Sequence, residues 1–376
     1  MTESLTRRNF LKWMGIAASA ITTGRVAAVA GQEGYTAARC KIGESELVEF
    51  SQEVRSGGVP PDGIPSIDAP DYVSAERAEK TLSGILADDS VVFGLEYEGQ
   101  AFAYPRIIMV WHEIVNEVID GDPISITYCP LTGSAIGYRG KVSGEKSDFG
   151  TSGKLLNSNL VMYDRSTGTE SLWSQILGTS LRGPHAGEGL ETVPLVWTTW
   201  SQWKEKHPNT SVLTTDTGNP RSYGRDPYGS YQKDGTYYQE GGPMFGVMEE
   251  SRRFSPKKVV TGVKVGDCAL AVPKAEFREQ KVRNVEISGE PLLIVYEEEL
   301  DTVRAFSREI SGSVKSFEKQ NNRLISRPDG TTWSSDGVGL AGPLEGQRLT
   351  PVDFFDVMWF AWYGFFPDTR VLELSS

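Results

Sequence analysis

Two residues in the first half of the chain have side chains suited to nucleophilic or proton-transfer chemistry, Cys129 and His112. Cys129 follows a run of β-forming residues and precedes Pro130, which predicts a strand end where the backbone turns. Free backbone N–H groups at such a turn stabilise a thiolate. Thr132 follows three residues later, so its hydroxyl can donate a further hydrogen bond to the sulfur. If His112 lies close in space, it lowers the pKa of the thiol and acts as its base.

The same residues permit other interpretations. Cys129 can be a buried, small apolar side chain, and His112 can be a structural histidine. A site for a soft metal such as copper would use Cys129 with His112 or His185, because thiolate and imidazole suit such ions. The sequence contains no HExxH, P-loop, paired CxxC or dinucleotide-binding pattern, so the cofactor stays unknown.

A second group of residues is suited to shaping a ligand pocket beside the thiol. Its members carry indole, amide, hydroxyl or guanidinium donors: Trp111, Asn157, Ser158, Asn159, Trp173 and Arg225. Side chains such as those of Asn157, Ser158 and Asn159 also close turns by bonding to the backbone. Two interpretations of this run therefore stand together, a set of ligand contacts and a structural turn.

The chain repeats itself, which indicates two related modules. Gly94 recurs as Gly262, at an offset of 168 residues that holds for the surrounding motif. Towards the end of each copy the run Trp200–Leu213 matches Trp359–Leu372, at an offset of 159. Matches of tryptophan at this density and in this order favour an internal duplication over chance.

The two copies differ where chemistry is expected. At the offset of 168 residues, Gln280 stands in place of His112 and Glu297 in place of Cys129. We therefore predict one active module and one degenerate module that supports it.

Short alternating apolar runs predict an α+β, mostly β fold, in which each β-rich module ends in a helix. About 345 residues after the signal segment exceed one typical core. The predicted organisation is a signal peptide over 1–30, an irregular leader over 31–72, a first module over 73–213, a linker over 214–258 and a second module over 259–376.

The N-terminus has the pattern of a twin-arginine (Tat) export signal. Arg7 and Arg8 precede a short apolar stretch, and the small residues Ala28-Val29-Ala30 follow. Polar residues between Ser19 and Arg25 interrupt that stretch, whereas a membrane span needs about 20 apolar residues. We expect a periplasmic or extracellular protein, cleaved near Ala30 and soluble, with no transmembrane span in the mature chain.

The net charge and the number of cysteines limit the classes of binding partner. With 38 basic and 50 acidic residues the net charge is −12, which argues against nucleic acid as a partner. A small molecule or a thiol partner is the remaining class. Three cysteines are too few for a disulfide scaffold, and an oxidising compartment permits one bridge between Cys40 and Cys268.

Five motifs, taken in order, resemble one known family. They are Trp111-His112-Glu113-Ile114-Val115-Asn116, Tyr128-Cys129-Pro130-Leu131, Asn157-Ser158-Asn159-Leu160-Val161-Met162-Tyr163-Asp164, Leu172-Trp173-Ser174-Gln175 and Tyr223-Gly224-Arg225-Asp226-Pro227-Tyr228. Nearly all of the chain after the leader is similar to DUF3179, an uncharacterised family. The resemblance implies redox chemistry, because members often read C-P-L-C here and some are identified as selenoproteins. Thr132 replaces the second cysteine, so a dithiol cycle within the motif is not available.

Three functions remain open at this point. The leading hypothesis is a thiol-dependent redox protein that uses Cys129, His112 and Thr132. A ligand-binding or interaction module without chemistry follows, and a metal-binding protein is third.

Overall fold

Strands dominate the regular structure, so the prediction of an α+β, mostly β fold is confirmed. The structure, a computed structural model, describes residues 42–165, 171–266, 268–321 and 323–373. The predicted signal peptide and Cys40 lie outside the described residues. Cys268 is disulfide-bonded and Cys129 is free; the pairing of Cys40 with Cys268 stays a prediction.

The helices are short and the strands are numerous. The helices are α1 (Glu44–Gln52), α2 (Ala75–Thr81), α3 (Arg106–Met109), α4 (Trp200–Lys206), α5 (Lys274–Gln280) and α6 (Trp359–Phe365). The strands before the linker are β1 (Arg55–Ser56), β2 (Tyr72–Ser74), β3 (Val91–Tyr97), β4 (Gln100–Pro105), β5 (Ile114–Ile119), β6 (Asp122–Cys129), β7 (Ser134–Arg139), β8 (Lys141–Val142), β9 (Glu145–Lys146), β10 (Phe149–Leu156), β11 (Asn159–Asp164), β12 (Leu172–Ser174), β13 (Thr179–Arg182), β14 (Thr192–Val193), β15 (Val196–Thr199) and β16 (Ser211–Leu213). Those after it are β17 (Val259–Val265), β18 (Cys268–Pro273), β19 (Val282–Ile287), β20 (Glu290–Glu297), β21 (Thr302–Ser307), β22 (Glu309–Ile310), β23 (Ser313–Val314), β24 (Ser316–Gln320), β25 (Arg323–Arg327), β26 (Thr332–Trp333), β27 (Gly339–Ala341), β28 (Asp353–Met358) and β29 (Arg370–Val371).

The strand order of the second half repeats that of the first. The sheet β15-β3-β4-β16 corresponds to β28-β17-β18-β29, β7-β6-β5 corresponds to β21-β20-β19, and β10-β11-β12-β13 corresponds to β24-β25-β26-β27. The bounds of β3 to β7 recur in β17 to β21 at the offset read from the sequence. The architecture is therefore repeated, and a duplication as its origin stays a prediction.

One of the hydrophobic clusters is built from both halves. Cys129 and Trp173 from the first half lie in the same buried cluster as Trp359 and Trp362 from α6. The aromatic helix α6 therefore lies between the halves, which is why so many rings near the C-terminus are buried. Residues 214–258, the predicted linker, contain neither helix nor strand.

The leader differs from the irregular segment that was predicted. Residues 44–52 form α1, in which the Glu46 carboxylate accepts a hydrogen bond from the backbone N–H of Gly43 at 2.9 Å. Phe50 anchors the helix, because its ring packs 5.7 Å from that of Phe365. The prediction failed here because the apolar partner of Phe50 lies more than 300 residues away in the chain.

No helix within the described ranges is long and apolar enough to cross a membrane.

Two glycines allow a close approach that fixes the helix at the end of each half. A β-carbon at Gly94 would lie 2.2 Å from the ring of Trp203, and one at Gly262 would lie 2.1 Å from the ring of Trp362. Each indole also donates a hydrogen bond of 2.9 Å to a threonine hydroxyl, that of Thr210 or of Thr369. The recurrence of these glycines and tryptophans therefore has a packing reason.

We expect Gly94→Ala and Gly262→Ala each to lower the free energy of unfolding by about 3 kcal/mol, since a rigid indole must move. Urea denaturation followed by tryptophan fluorescence measures the change. Gly84→Ala is the matched control, because a β-carbon there meets no atom within 4 Å. Equal stability of either variant and the control would contradict this packing account.

Candidate active site around Cys129

Cys129 is the last residue of β6, and the chain turns through residues 130–133 into β7. Its side chain is 1% exposed. The sulfur lies 3.9 Å from the carbonyl oxygen of Ser158, a residue in the turn between β10 and β11. The thiol thus occupies the strand end that the sequence predicted, but beneath the surface.

The surroundings of the thiol act on its pKa in opposite directions. Burial raises the pKa of Cys129 to about 11, and the charge of the Glu113 carboxylate adds to this. The Thr132 hydroxyl and the backbone N–H groups of Thr132 and Leu160 lower it, because they donate hydrogen bonds to the sulfur. The thiol is therefore protonated at neutral pH, unlike the activated thiolate expected from the sequence, and has donors in place for a thiolate.

Glu113 is the residue that sequence reasoning missed. Its backbone has φ 59, a left-handed conformation rare outside glycine and frequent at functional sites. The side chain is 7% exposed, and burial raises the pKa of its carboxyl to about 8. No hydrogen bond holds this carboxyl within the described part of the chain. A buried acid that titrates near neutrality beside a thiol is suited to proton transfer.

The Thr132 hydroxyl is held by a network of fully buried polar side chains. Its members are Thr127, Thr132, Ser134, Asn159 and Gln175, each 0% exposed. The Asn159 amide donates to the Thr132 oxygen at 3.0 Å and to the Gln175 oxygen at 2.7 Å. The Gln175 amide in turn donates to Thr127 at 3.0 Å. The Thr132 oxygen also lies 2.9 Å from the Ser134 hydroxyl, which donates to the Gln175 oxygen at 2.7 Å. The network therefore fixes the position of the Thr132 hydroxyl.

Residues 61–369 match a family model described as "Protein of unknown function (DUF3179)". The chain belongs to the family DUF3179. No curated protein and no solved structure matches it.

In this DUF3179 chain, the position in the second half that corresponds to Cys129 carries a carboxylate. Glu297 ends β20 as Cys129 ends β6. Its carboxylate pairs with Arg304 and Lys206, and it is 1% exposed. A buried carboxylate paired with two cations suits a structural role; that the second half is a degenerate copy stays a prediction.

His112 does not contact Cys129 among the described residues. Its Nδ1 lies 2.8 Å from the carbonyl oxygen of Pro65, so Nδ1 donates. Its Nε2 lies 2.7 Å from the Tyr223 hydroxyl, which donates to the neutral ring. Burial lowers the pKa of the imidazole. Both nitrogens are occupied, so His112 positions the chain beside Glu113 and is not available as a base for the thiol.

Asn157 and Ser158 form the turn of the β10–β11 hairpin, both with positive φ. The Asn157 amide donates to the Gly364 carbonyl at 2.8 Å, and its oxygen accepts from the Met248 N–H at 2.7 Å. Ser158 donates to the Phe245 carbonyl at 2.7 Å. These side chains hold the linker and α6 against the site.

The remaining predicted pocket residues lie in structural positions. The Trp111 indole donates to the backbone carbonyl of Arg225 at 3.1 Å, and the Arg225 side chain is exposed. Trp173 is fully buried and donates to Asp164 at 3.0 Å. Asn159 is the exception, since it belongs to the network behind the thiol.

The candidate metal ligands are not brought together. His185 lies 2.9 Å from the Glu188 carboxylate and stacks on Trp173. Across the described residues, no group of three or more His, Cys, Asp or Glu side chains is placed to hold a metal ion. Cys129, His112 and His185 therefore do not form one site.

Part of the linker covers the thiol with four aromatic rings, the tyrosine cover, made of Tyr228, Tyr231, Tyr237 and Tyr238. Tyr237 donates to the Leu131 carbonyl at 2.7 Å, two residues beyond Cys129. Burial and then the charges of Glu113 and Cys129 raise the pKa of Tyr228, which places this ring beside both groups.

The cover is anchored by a buried ion pair. Asp226 of the linker pairs with Arg106 of α3, whose side chain is 10% exposed. The Arg106 guanidinium also lies over the rings of Tyr231 and Tyr238, at 5.1 and 5.2 Å from their centroids. The linker is therefore an ordered part of the site.

Replacing Glu113 with glutamine should change how stability depends on pH. The folded-state pKa is about 8 and the unfolded value about 4.5, so the wild type loses stability as pH rises through this window. Each pKa unit corresponds to about 1.4 kcal/mol, which gives the variant a gain of up to about 5 kcal/mol above pH 8. Chemical denaturation at pH 5 and pH 9 measures it.

Glu98→Gln is the control, because Glu98 also has a positive φ (47) but is exposed. If Glu113→Gln and Glu98→Gln show the same pH dependence as the wild type, the Glu113 carboxyl is not buried as described.

Proposed function

We propose that this chain is an exported, thiol-dependent redox protein in which Cys129 exchanges with a disulfide and Glu113 carries the proton. One observation supports this most directly. The Cys129 sulfur lies between three hydrogen-bond donors and a buried carboxyl that titrates at about pH 8. Besides its apolar neighbours in the core, Cys129 has polar groups of the kind that thiol chemistry requires close to its sulfur.

The proposed step is thiol–disulfide exchange. The Cys129 sulfur attacks one sulfur of the substrate disulfide, forming a new S–S bond while the substrate S–S bond breaks. The thiol proton passes to the Glu113 carboxylate and from there to the departing thiolate, which leaves as a thiol. Cys129 is oxidised to a mixed disulfide, and the departing half of the substrate is reduced.

Thr132 determines which thiol can carry out the second step. Because Thr132 replaces the second cysteine of the family motif, the mixed disulfide is resolved by a thiol from outside the chain. That thiol attacks the substrate sulfur and forms a disulfide with it while the bond to Cys129 breaks. Cys129 departs as a thiolate with Thr132 and Leu160 as donors, and the proton of the attacking thiol returns to it through Glu113. A monothiol cycle of this kind needs a small thiol or a thiol protein as partner.

Access to the sulfur requires movement of the tyrosine cover, because Cys129 is 1% exposed. Long loops without regular structure are often lids or binding segments. The same burial favours a second candidate, a module that binds a ligand without chemistry and keeps Cys129 as a structural residue.

Export is part of the proposal. The twin-arginine pattern at Arg7 and Arg8 supports it. The disulfide formed by Cys268 also suits an oxidising compartment.

The test is the rate of exchange between the folded protein and dipyridyl disulfide, followed by release of pyridinethione. We expect a wild-type rate that rises through about pH 8 and no release from Cys129→Ser. Glu113→Gln should be slower by about a hundredfold at pH 8.5, since it lacks the base. Mass spectrometry should locate the adduct on Cys129.

Glu117→Gln is the control, because Glu117 is a half-buried acid on β5, close to Glu113 in the chain, that accepts hydrogen bonds from Tyr72 and Tyr104. It should exchange at the wild-type rate. Reaction of Cys129 only after denaturation would overturn the redox proposal and leave the binding module in its place.

A further inference from the structure

Lys257, the penultimate residue of the linker, is a buried amine without a partner. It is 6% exposed, and its Nζ makes no hydrogen bond and no ion pair within the described residues. The nitrogen lies 3.1 Å from the centroid of the Tyr237 ring and 5.1 Å from that of Phe360. A buried ammonium normally pairs with a carboxylate, and within the described residues this one lacks such a partner.

The neighbouring lysine shows the ordinary arrangement. Lys258 pairs with Glu276 and lies 4.4 Å from the centroid of the Phe254 ring. Lys274, which is also buried, pairs with Asp356 at 2.5 Å. The chain therefore satisfies these two lysines with carboxylates and leaves Lys257 with aromatic rings alone.

The pKa of the Lys257 amine depends on the groups that surround it. Burial lowers the pKa of the amine to about 7. The Tyr237 ring face favours the ammonium form in part. An anion in contact with Nζ would stabilise the ammonium form more than the two rings do.

Lys257 borders the thiol site. Tyr237 touches Lys257 with its ring and the Cys129 loop with its hydroxyl, which donates to Leu131. The Tyr231 hydroxyl is also buried close to Gly133 in the same loop. Lys257 therefore lies next to two tyrosines that border the loop carrying the thiol.

We propose that Lys257 binds an anionic group, a carboxylate or a similar oxyanion, of the disulfide or thiol that exchanges with Cys129. This inference rests on the proposed redox function and adds a substrate class to it. The acidic surface of the chain gives such a substrate no general attraction, so recognition depends on this one cation.

The test compares two disulfides at pH 7, a bis(nitrobenzoate) disulfide with a carboxylate on each ring and the neutral dipyridyl disulfide. We expect Lys257→Met to slow exchange with the carboxylated reagent by about tenfold or more, since a charged hydrogen bond is lost. Exchange with the neutral reagent should stay within about twofold. Lys258→Met is the control and should behave as the wild type with both reagents. An equal effect of Lys257→Met on both disulfides would overturn the inference.

A second measurement does not depend on the thiol. In protein labelled with carbon isotope in lysine, the Lys257 resonance is assigned by its loss in Lys257→Met and titrated with pH. Benzoate should raise its titration midpoint, and benzamide should not. A midpoint that benzoate leaves unchanged would reject the anion site, whatever the outcome of exchange. If benzoate raises the midpoint but the folded protein exchanges with neither disulfide, only the redox function is rejected.

Discussion

The buried polar network behind Cys129 is the constraint on which the site depends. Thr127, Ser134, Asn159 and Gln175 fix the Thr132 hydroxyl in a place where no water can substitute for a lost partner. Networks of this kind are costly when incomplete and rigid when complete. It ties β6, β7, β11 and the segment after β12 to one loop, so the thiol is held by four parts of the first half.

The second constraint is the burial of charge around that loop. The linker brings Asp226 to Arg106 and four tyrosines over the strand end, and the Asn157–Ser158 turn holds the linker in place. Helix α6 closes the site from the second half. Low polarity in this region raises the pKa values of Cys129 and Glu113 and lowers that of Lys257. A closed resting state follows, and the proposed exchange requires the cover to open.

Structural features that depend on neighbouring residues could be predicted from the local sequence pattern. The hairpin of β3 and β4, the end of β6 at Cys129 and the Thr132 donor all follow from alternation, turn residues and spacing. The correspondence of the two halves was visible because Gly94 must admit Trp203 and Gly262 must admit Trp362.

Features that depend on distant segments were not visible. His112 is satisfied by Pro65 and Tyr223, from the leader and the linker, so its pairing with the thiol could not be judged from the motif alone. Glu113 resembled an ordinary exposed acid, because its left-handed backbone and its burial arise only after α3, β5 and the linker pack together. That Lys257 lacks a carboxylate partner among the described residues likewise became visible only once the pairings of Lys258 and Lys274 were known.

Infrared spectroscopy follows the protons of Cys129 and Glu113 separately, and it tests whether burial keeps both groups neutral near neutral pH. The S–H band of Cys129, assigned by difference from Cys129→Ser, and the protonated-carboxyl band of Glu113, assigned from Glu113→Gln, are followed against pH. The account predicts loss of the carboxyl band at about pH 8 and persistence of the S–H band until about pH 11. Loss of the S–H band below about pH 8.5, the ordinary range of a free thiol, with a carboxyl already ionised in acid, would contradict it.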